Sequence, residues 1–217
     1  KIVKPEIAII TNISGAHFKN FNNLKDIAKA KAEIINNISK GGNIVLNKDS
    51  KFFRFFYNIA KKRRINITCF SSKKRADISL LKIKKIKKNF RLKIKVKNKI
   101  FYFITKYSND SFIKNILACI STIFVLRLNL NKLKKKFIKF KIPEGRGDTK
   151  IVKKFNRKFK FVDESYNANP LSMRSAINNV SQYKLKNNCK KIILLGDMLE
   201  LGKKTRKYHN SNRRRLD

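Results

Sequence analysis

The opening of the chain carries the pattern that most restricts the fold: two short apolar blocks separated by one amphipathic helical stretch. The first block spans residues 6–13 and ends in a Ser-Gly breaker. Apolar side chains then recur at helical spacing at Leu24, Ile27, Ala28, Ile34, Ile35 and Ile38. Gly41-Gly42 ends this helix and precedes the second block at residues 43–47. Short apolar blocks joined by a helix are typical of parallel strands buried on both faces. The pattern predicts an α/β fold.

The middle of the chain has a different pattern of apolar and charged side chains. Residues 91–97 alternate strictly between basic and apolar side chains, as a strand with one solvated face does. Together with residues 77–86 and 100–106, they predict an antiparallel meander. Helices are further predicted at residues 52–60, 111–128, 131–140 and about 170–183, and strands at residues 65–70, 160–162 and 191–195.

Residues 143–148, Pro-Glu-Gly-Arg-Gly-Asp, form a stretch rich in Pro and Gly, as domain linkers often are. We therefore expect two domains, residues 1–145 and residues 146–217. The strand, helix and strand predicted after the linker restart the alternating α/β pattern.

The formal net charge of +42 suggests attraction to a polyanion such as nucleic acid. A basic nucleic-acid-binding protein would use residues 82–99 for charge and the aromatic run at residues 52–57 for base stacking. The basic residues are, however, spread along the whole chain and accompany abundant Ile, Asn and Phe. This spread favours a general enrichment in lysine, and we expect nucleic acid not to be a partner.

The cysteines favour a reducing compartment. Cys69, Cys119 and Cys189 are odd in number and far apart, without the spacing of metal ligands. The longest apolar stretch, residues 113–130, is interrupted by basic residues before it could span a membrane, and no signal peptide opens the chain. We expect a cytoplasmic protein with no membrane partner.

Lys31 is predicted on the apolar face of the first helix, four residues from both Ile27 and Ile35. Burial lowers the pKa of a lysine, and the neutral amine can take up carbon dioxide to form a carbamate, an oxygen ligand suited to Mg²⁺. His17, in the loop after the first strand, stands where ligands bind in open α/β sheets. The alternative is a solvated lysine and a structural histidine.

Two later segments also follow predicted strands. Residues 162–170 place acids and amides before a helix, where carboxylates can bind ribose hydroxyls. Asn169 followed by Pro170 also suits a helix N-cap. Residues 195–202 are rich in Gly and Asp, as a simple turn is too.

The order and the residue sequences of these segments resemble those of the Mur ligases of peptidoglycan synthesis. The similar segments are Thr11-Asn12-Ile13 with Ala16-His17, residues 27–34 (Ile-Ala-Lys-Ala-Lys-Ala-Glu-Ile), residues 163–170 (Asp-Glu-Ser-Tyr-Asn-Ala-Asn-Pro), and residues 196–202 (Gly-Asp-Met-Leu-Glu-Leu-Gly) followed by His209. The last two segments are most similar to the members that join D-alanyl-D-alanine to UDP-MurNAc-tripeptide. The resemblance implies the later part of a central ATP-binding domain in residues 1–145 and the start of a Rossmann-like C-terminal ligase domain in residues 146–217.

The resemblance also implies roles for single residues. His17 and Lys31 would be magnesium ligands, with Lys31 carbamylated and therefore part of the catalytic centre. Tyr166, Asn167 and Asn169 would lie in the segment nearest the reacting groups, and Asn167 and Asn169 are candidate catalytic residues. The residues implied to bind ATP are Asn115 for the adenine, Arg146 for the phosphates and Asp163 for the ribose.

The sequence departs from the family pattern at several points. The Gly-x-x-Gly-Lys-Thr/Ser loop, whose amides and lysine bind phosphates, does not occur in it, and the second metal ligand, a glutamate, would precede Lys1. Residues 109–111, Asn-Asp-Ser, replace the Gly-x-His that usually precedes the helix of Asn115. After His209 the expected helix gives way to residues 210–215, Asn-Ser-Asn-Arg-Arg-Arg.

For the intact enzyme the resemblance implies an ATP-dependent amide ligase. ATP would phosphorylate the tripeptide carboxylate, and the amine of D-alanyl-D-alanine would attack the acyl phosphate. Without the phosphate loop, we expect this polypeptide alone to be inactive, with a separately encoded N-terminal part as one candidate partner. A non-functional ligase remnant is the alternative.

Overall fold

A computed structural model describes residues 3–14, 21–154, 156–185 and 189–213. The chain divides into two compact units. The first comprises the described residues of 1–13 and 25–140, and the second those of 14–24 and 141–217. Each unit is considered by itself below.

The first unit contains one six-stranded sheet in the order β1-β2-β3-β4-β5-β6. Its strands are β1 Ile7–Ile10, β2 Asn43–Asn47, β3 Asn66–Ser71, β4 Ile78–Ile86, β5 Asn89–Val96 and β6 Lys99–Thr105. Strands β1 to β4 pair in parallel, and β4, β5 and β6 pair antiparallel. The parallel α/β fold and the antiparallel meander predicted from the sequence are both confirmed.

Three helices accompany this sheet: α1 Leu24–Asn37, α2 Phe53–Lys62 and α3 Asp110–Val125. Helix α3 lies against β2, β3 and β4 and covers an apolar core of the unit. Phe103 is completely buried in this core and packs edge to face on Phe137, with ring centroids 5.6 Å apart. The core holds α3 in place along the sheet, and therefore also fixes where the first turns of α3 lie.

The basic stretch after α3 differs from its prediction. The helix expected at residues 131–140 is absent, and two short 3-10 turns, Leu130–Leu133 and Lys136–Lys139, take its place. Only Leu130 and Phe137 in these turns are buried. The stretch offers too few apolar side chains to hold a full helical face against the core. Its lysines three and four residues apart, Lys132, Lys135, Lys136 and Lys139, would also repel each other along a helix.

The second unit begins with an antiparallel hairpin, β7 Asp148–Lys154 and β8 Arg157–Asp163. Helices α4 Pro170–Ser181 and α5 Thr205–Arg213 follow. The predicted strand at residues 191–195 is wrong: these residues form no strand, and Ile192 and Leu194 are 83% and 89% exposed. A strand needs a hydrogen-bonded neighbour, and in the described part of the chain β8 pairs with β7. Helix α5 continues past His209, so the expected loss of the helix there is also wrong.

None of the described helices is long and apolar enough to cross a membrane. Cys69 is buried in the first unit, whereas Cys119 and Cys189 are exposed. Burial, together with the negative charge of Asp77, raises the pKa of the Cys69 thiol to about 11. Cys69 is therefore protonated at neutral pH, as expected of a structural thiol.

Candidate functional site

Polar side chains tie together the carboxyl ends of the first three strands. Asn47, at the end of β2, donates from Nδ2 to the carbonyl oxygen of Thr11, which follows β1, at 2.8 Å. The carboxylate of Asp49 accepts hydrogen bonds from the hydroxyl of Ser71 at 2.6 Å and the backbone N–H of Ser72 at 2.7 Å. Ligands of open α/β sheets bind at the carboxyl ends of the strands. This edge is therefore a candidate ligand-binding edge of the first unit.

The Asp49 carboxylate is held in its charged form. Burial alone would raise its pKa, but the hydrogen bonds from Ser71 and Ser72 outweigh burial, and the pKa lies below the usual value. The positive charge of Lys114 adds to this lowering. Lys114 belongs to the second turn of α3, so α3 begins near the carboxyl edge of β2. Asn115, the predicted adenine contact, is the next residue of α3 and is exposed.

Sequence analysis gave no role to Asn47, Asp49 or Ser71. The signal was present, because polar side chains follow the apolar residues of β2 and β3 directly, as Asn-Lys-Asp at 47–49 and Ser-Ser at 71–72. Turns carry the same residue types, so the pattern alone does not separate a strand-end site from an ordinary turn. The hydrogen bonds between strands make that distinction.

The prediction that Lys31 lies on the buried face of α1 is wrong, because Lys31 is exposed. The buried residues of α1 are Ile27, Ala28, Ala32 and Ile35. The predicted apolar face included Ile34, which is 39% exposed, and left out Ala32. Exchanging Ile34 for Ala32 rotates the buried stripe away from Lys31. The desolvation argument for a reactive amine therefore falls, and a metal role for Lys31 rests on the family resemblance alone.

His17, the other predicted metal ligand, lies outside the described residues. Within the described ranges, no group of three or more His, Cys, Asp or Glu side chains could hold a metal ion. The described residues therefore give no independent support to a magnesium site.

Arg146 and Asp163 come together at one end of the hairpin in the second unit. Asp163 ends β8 and pairs in register with Asp148, the first residue of β7, two residues after Arg146. The backbone N–H of Gly147 donates to the carbonyl oxygen of Asp163 at 2.6 Å, and Arg146 is exposed. A predicted phosphate contact and a predicted ribose contact thus share one surface, although they are distant in sequence.

Three carboxylates, those of Asp148, Asp163 and Glu164, lie at this end of the hairpin. Hydrogen bonds from Ser165 lower the pKa of Asp163, which keeps it an acceptor for hydroxyl groups. Burial raises the pKa of Glu164, and the charges of Asp163 and Asp148 raise it further. Lys150 pairs with Asp148 at 3.5 Å and offsets part of this negative charge. The arrangement suits hydroxyl groups at the carboxylates and an anion at Arg146.

The two asparagines of the segment at residues 163–170 differ in their surroundings. Asn167 is exposed, as a contact to a ligand requires. Asn169 is the N-cap of α4: its Oδ1 accepts from the N–H groups of Leu171 and Ser172, both at 3.0 Å. The oxygen of Asn169 is therefore engaged in the helix cap, and its Nδ2 is the group that suits a ligand.

His209 fixes the segment at residues 196–202. Its Nε2 accepts a hydrogen bond from the backbone N–H of Met198 at 3.1 Å, and its Nδ1 lies 2.9 Å from the carbonyl oxygen of Thr205. This pair of contacts requires the ring proton on Nδ1. Met198 and Leu201 are each only 2% exposed. The segment is thus a loop anchored by a histidine and two apolar side chains.

The aromatic run considered for base stacking packs within the first unit. Phe56 is 2% exposed and meets Phe55 edge to face, and Phe53 lies against Tyr57 with ring centroids 5.5 Å apart. None of the aromatic side chains at residues 52–57 is exposed. The run therefore offers no open stacking surface for nucleic acid.

Two family models match the chain. The Mur ligase middle domain matches residues 1–123, and the Mur ligase, glutamate ligase domain matches residues 149–217. The chain belongs to the Mur ligase family. The α/β fold and the resemblance predicted from the sequence are thereby confirmed, and Mur ligases are ATP-dependent ligases.

Similar proteins narrow the position within the family. The chain is 32% identical over 213 residues to the UDP-N-acetylmuramoyl-tripeptide–D-alanyl-D-alanine ligase of Buchnera aphidicola subsp. Baizongia pistaciae, a match that covers 96% of this chain and 44% of that protein. The solved structure of MurF from Acinetobacter baumannii is 25% identical, with a TM-score of 0.84 over 99% of this chain and 45% of that one. MurF from Thermotoga maritima in complex with ADP shares the fold, at 22% identity and a TM-score of 0.81, over 99% of this chain and 47% of that one.

The chain spans less than half the length of these relatives. Its two matched segments correspond to two domains of the family. The reaction, substrates and partners of the longer proteins come to this chain as proposals.

Proposed function

We propose that this chain supplies nucleotide-binding residues of an ATP-dependent ligase that joins D-alanyl-D-alanine to UDP-N-acetylmuramoyl-tripeptide. The observation that carries the proposal is the meeting of Arg146 and Asp163 at one end of the hairpin in the second unit. One nucleotide presents both an anionic phosphate chain and a ribose hydroxyl pair, the two groups that an arginine and a carboxylate bind. A relative with the same fold was solved in complex with ADP.

In the proposed reaction, a carboxylate oxygen of the tripeptide attacks the γ-phosphorus of ATP, and ADP leaves. The amine of D-alanyl-D-alanine then attacks the acyl carbon, phosphate departs with the bonding electrons, and the new amide nitrogen loses a proton. Arg146 is placed to stabilise negative charge on the phosphates, and Asp163 to orient the ribose. Asn115 is proposed for the adenine, and Asn167 and Asn169 for the region of the reacting groups.

We assign the two segments of the chain to two domains of the enzyme. Residues 1–145 represent the C-terminal part of the central ATP-binding domain, and residues 146–217 the N-terminal part of the ligase C-terminal domain. The division of the chain into compact units between residues 140 and 141 supports a boundary in this region.

The proposal also includes magnesium as a cofactor and a cytoplasmic location. Magnesium is supported by the resemblance at His17 and Lys31 alone, so no reaction step is assigned to it. A cytoplasmic location is supported by the free cysteines Cys69, Cys119 and Cys189, which fit a reducing compartment that also contains ATP.

Replacing Arg146 with alanine should weaken ATP binding by about tenfold, because a charge-assisted hydrogen bond contributes ~1.5 kcal/mol or more. The measurement is an NMR titration of the 217-residue chain with ATP at fixed salt, since the method detects weak binding. Binding of adenosine, which has no phosphate, should be unchanged in the same variant.

The matched control is Lys160→Ala. Lys160 lies in the same unit and is exposed, but it pairs in register with Ile151 in the middle of the hairpin, and its ammonium sits over the ring of Tyr183 at 3.7 Å. Both variants lose one positive charge from a very basic chain, so a general electrostatic effect would weaken ATP binding equally in both. An equal loss of ATP affinity in Arg146→Ala and Lys160→Ala would contradict the proposed function. The absence of ATP binding by the unaltered chain would contradict it as well.

A further inference from the structure

The guanidinium of Arg146 lies over the aromatic ring of Tyr166, with its central carbon 4.1 Å from the ring centroid. Tyr166 belongs to the segment at residues 163–170, and its side chain is 65% exposed. An exposed arginine ordinarily samples many rotamers, and ordering its side chain costs rotamer entropy. Stacking on a ring fixes the plane of the guanidinium before any ligand arrives.

Stacking leaves the hydrogen-bonding groups of Arg146 available. The ring of Tyr166 contacts the face of the guanidinium, whereas its five N–H groups point outward in the plane. A phosphate can therefore bind the edge of the guanidinium while the ring holds its face. This geometry differs from an ion pair, in which a carboxylate would occupy the same N–H groups.

The backbone keeps Tyr166 beside the Arg146 turn. The N–H of Tyr166 donates to the carbonyl oxygen of Gly145 at 3.0 Å. Gly145 has a φ of +70°, and a Cβ at this position would lie 2.8 Å from the nitrogen of Tyr166. Only glycine allows this close approach and this backbone conformation without strain. The ring and the arginine are thus attached to two segments that contact each other directly.

The turn itself is closed by two further hydrogen bonds. The N–H of Gly145 donates to Oδ1 of Asp148 at 2.9 Å, and the N–H of Gly147 donates to the carbonyl oxygen of Asp163 at 2.6 Å. The residues on both sides of Arg146 are therefore fixed, and the side chain of Arg146 is the part that remains to be ordered. Tyr166 orders it.

We infer that Tyr166 is a positioning residue, which holds the guanidinium of Arg146 in the orientation that binds the phosphates of ATP. The inference rests on the proposed function, because it assigns Arg146 to the nucleotide. Its consequence is selective: loss of the ring should weaken binding of the phosphates and leave binding of the nucleoside unchanged.

The test is an NMR titration of the 217-residue chain with ATP and, separately, with adenosine, comparing Tyr166→Leu with Tyr166→Phe. A cation–π contact at an exposed site corresponds to a two- to fivefold effect on binding, as an order of magnitude of about 0.5–1 kcal/mol. Tyr166→Leu should weaken ATP binding by about this factor, and Tyr166→Phe should retain it. Adenosine binding should be the same in both variants.

Two further measurements separate positioning from a general structural effect. Tyr183→Leu removes another tyrosine of this unit that stacks on a cation, and it should leave ATP binding unchanged. In the Arg146→Ala background, Tyr166→Leu should cause no further loss, because the two residues act through one contact. The Nε–H signal of Arg146 in the free chain should also move when the ring is removed.

The outcomes distinguish the inference from the proposed function. If Arg146→Ala weakens ATP binding and Tyr166→Leu does not, the inference is overturned and the proposed function stands. Additive losses in the double variant, or equal losses for ATP and adenosine, also overturn the inference. If the unaltered chain does not bind ATP, the proposed function fails and the inference fails with it.

Discussion

Replacing Phe103 with alanine is expected to destabilise the first unit by about 4 kcal/mol, the typical cost of removing a buried aromatic side chain from a core. Phe103 is 0% exposed, lies on the core face of β6, and packs on Phe137 at 5.6 Å between ring centroids. The substitution removes apolar contacts and leaves a cavity beside Phe137, in the 3-10 turn Lys136–Lys139 that lies against β6. Because a domain is commonly stable by only about 5–15 kcal/mol, the variant should lose a large part of its stability.

The measurement is urea unfolding followed by far-UV circular dichroism, together with thiol labelling of Cys69. Cys69 is buried and its pKa is raised to about 11, so labelling of this residue reports the opening of the first unit. The matched control is Tyr102→Ala: Tyr102 is the neighbouring residue on β6 and is 48% exposed on the opposite face of the sheet. The control should change stability by less than about 1 kcal/mol. A Phe103→Ala variant as stable as the control would refute the assignment of this core.

The alternation of buried and exposed side chains along the strands explains which parts of the fold the sequence could predict. In β5 the basic and apolar side chains alternate, and each apolar residue from Leu92 to Val96 is buried. In β2 the apolar run at residues 44–46 is buried on both faces, because helices and strands surround it. Both patterns record burial directly, so they identified strands and pairing correctly. Periodicity predicts an element well where the core contacts the element along its whole length.

Prediction failed where apolar residues lack a partner within the described residues. The run at residues 191–195 has the composition of a buried strand, yet Ile192 and Leu194 are almost fully exposed. Composition reports the tendency of a segment, whereas a strand also requires a neighbour to complete its hydrogen bonds. The predicted burial of Lys31 was wrong for a related reason: choosing Ile34 over Ala32 as a buried residue of α1 rotated the predicted apolar face toward Lys31.

The candidate site was predictable in its residues and not in its geometry. Arg146 and Asp163 were identified through the wording of short segments, but only the register of β7 and β8 shows that they share one surface. The stacking of Arg146 on Tyr166 depends on the close approach of Gly145, which no sequence pattern records. Asp49 was missed because its partners, Ser71 and Ser72, lie on a different strand end.

Replacing Asp49 with alanine should destabilise the first unit by about 3 kcal/mol at pH 7. The carboxylate accepts hydrogen bonds from the hydroxyl of Ser71 and from both the N–H and the hydroxyl of Ser72. Hydrogen bonds to a charged acceptor each contribute roughly 1.5–3 kcal/mol, and partial exposure reduces their sum. Ser71 is completely buried, so its hydroxyl loses a partner that water does not readily replace. Asp110→Ala, which removes a carboxylate that is 57% exposed, should cost about 1 kcal/mol or less.

The effect of Asp49 should depend on pH in a defined direction. Its pKa is lowered in the folded chain, so unfolding is accompanied by proton uptake at acidic pH. The stabilisation by the charged carboxylate is therefore complete above the unfolded pKa of about 3.9 and is lost as the pH falls through the lower folded pKa. Urea unfolding at pH 7, 5, 4 and 3, with Cys69 labelling after neutralisation, measures the difference in the free energy of unfolding between the unaltered chain and Asp49→Ala. This difference in stability should be constant from pH 7 to 5 and should become smaller below pH 4, because only the unaltered chain loses the contribution of the charged carboxylate. A difference that stays constant down to pH 3 would show that the charge of Asp49 does not hold the carboxyl edge together.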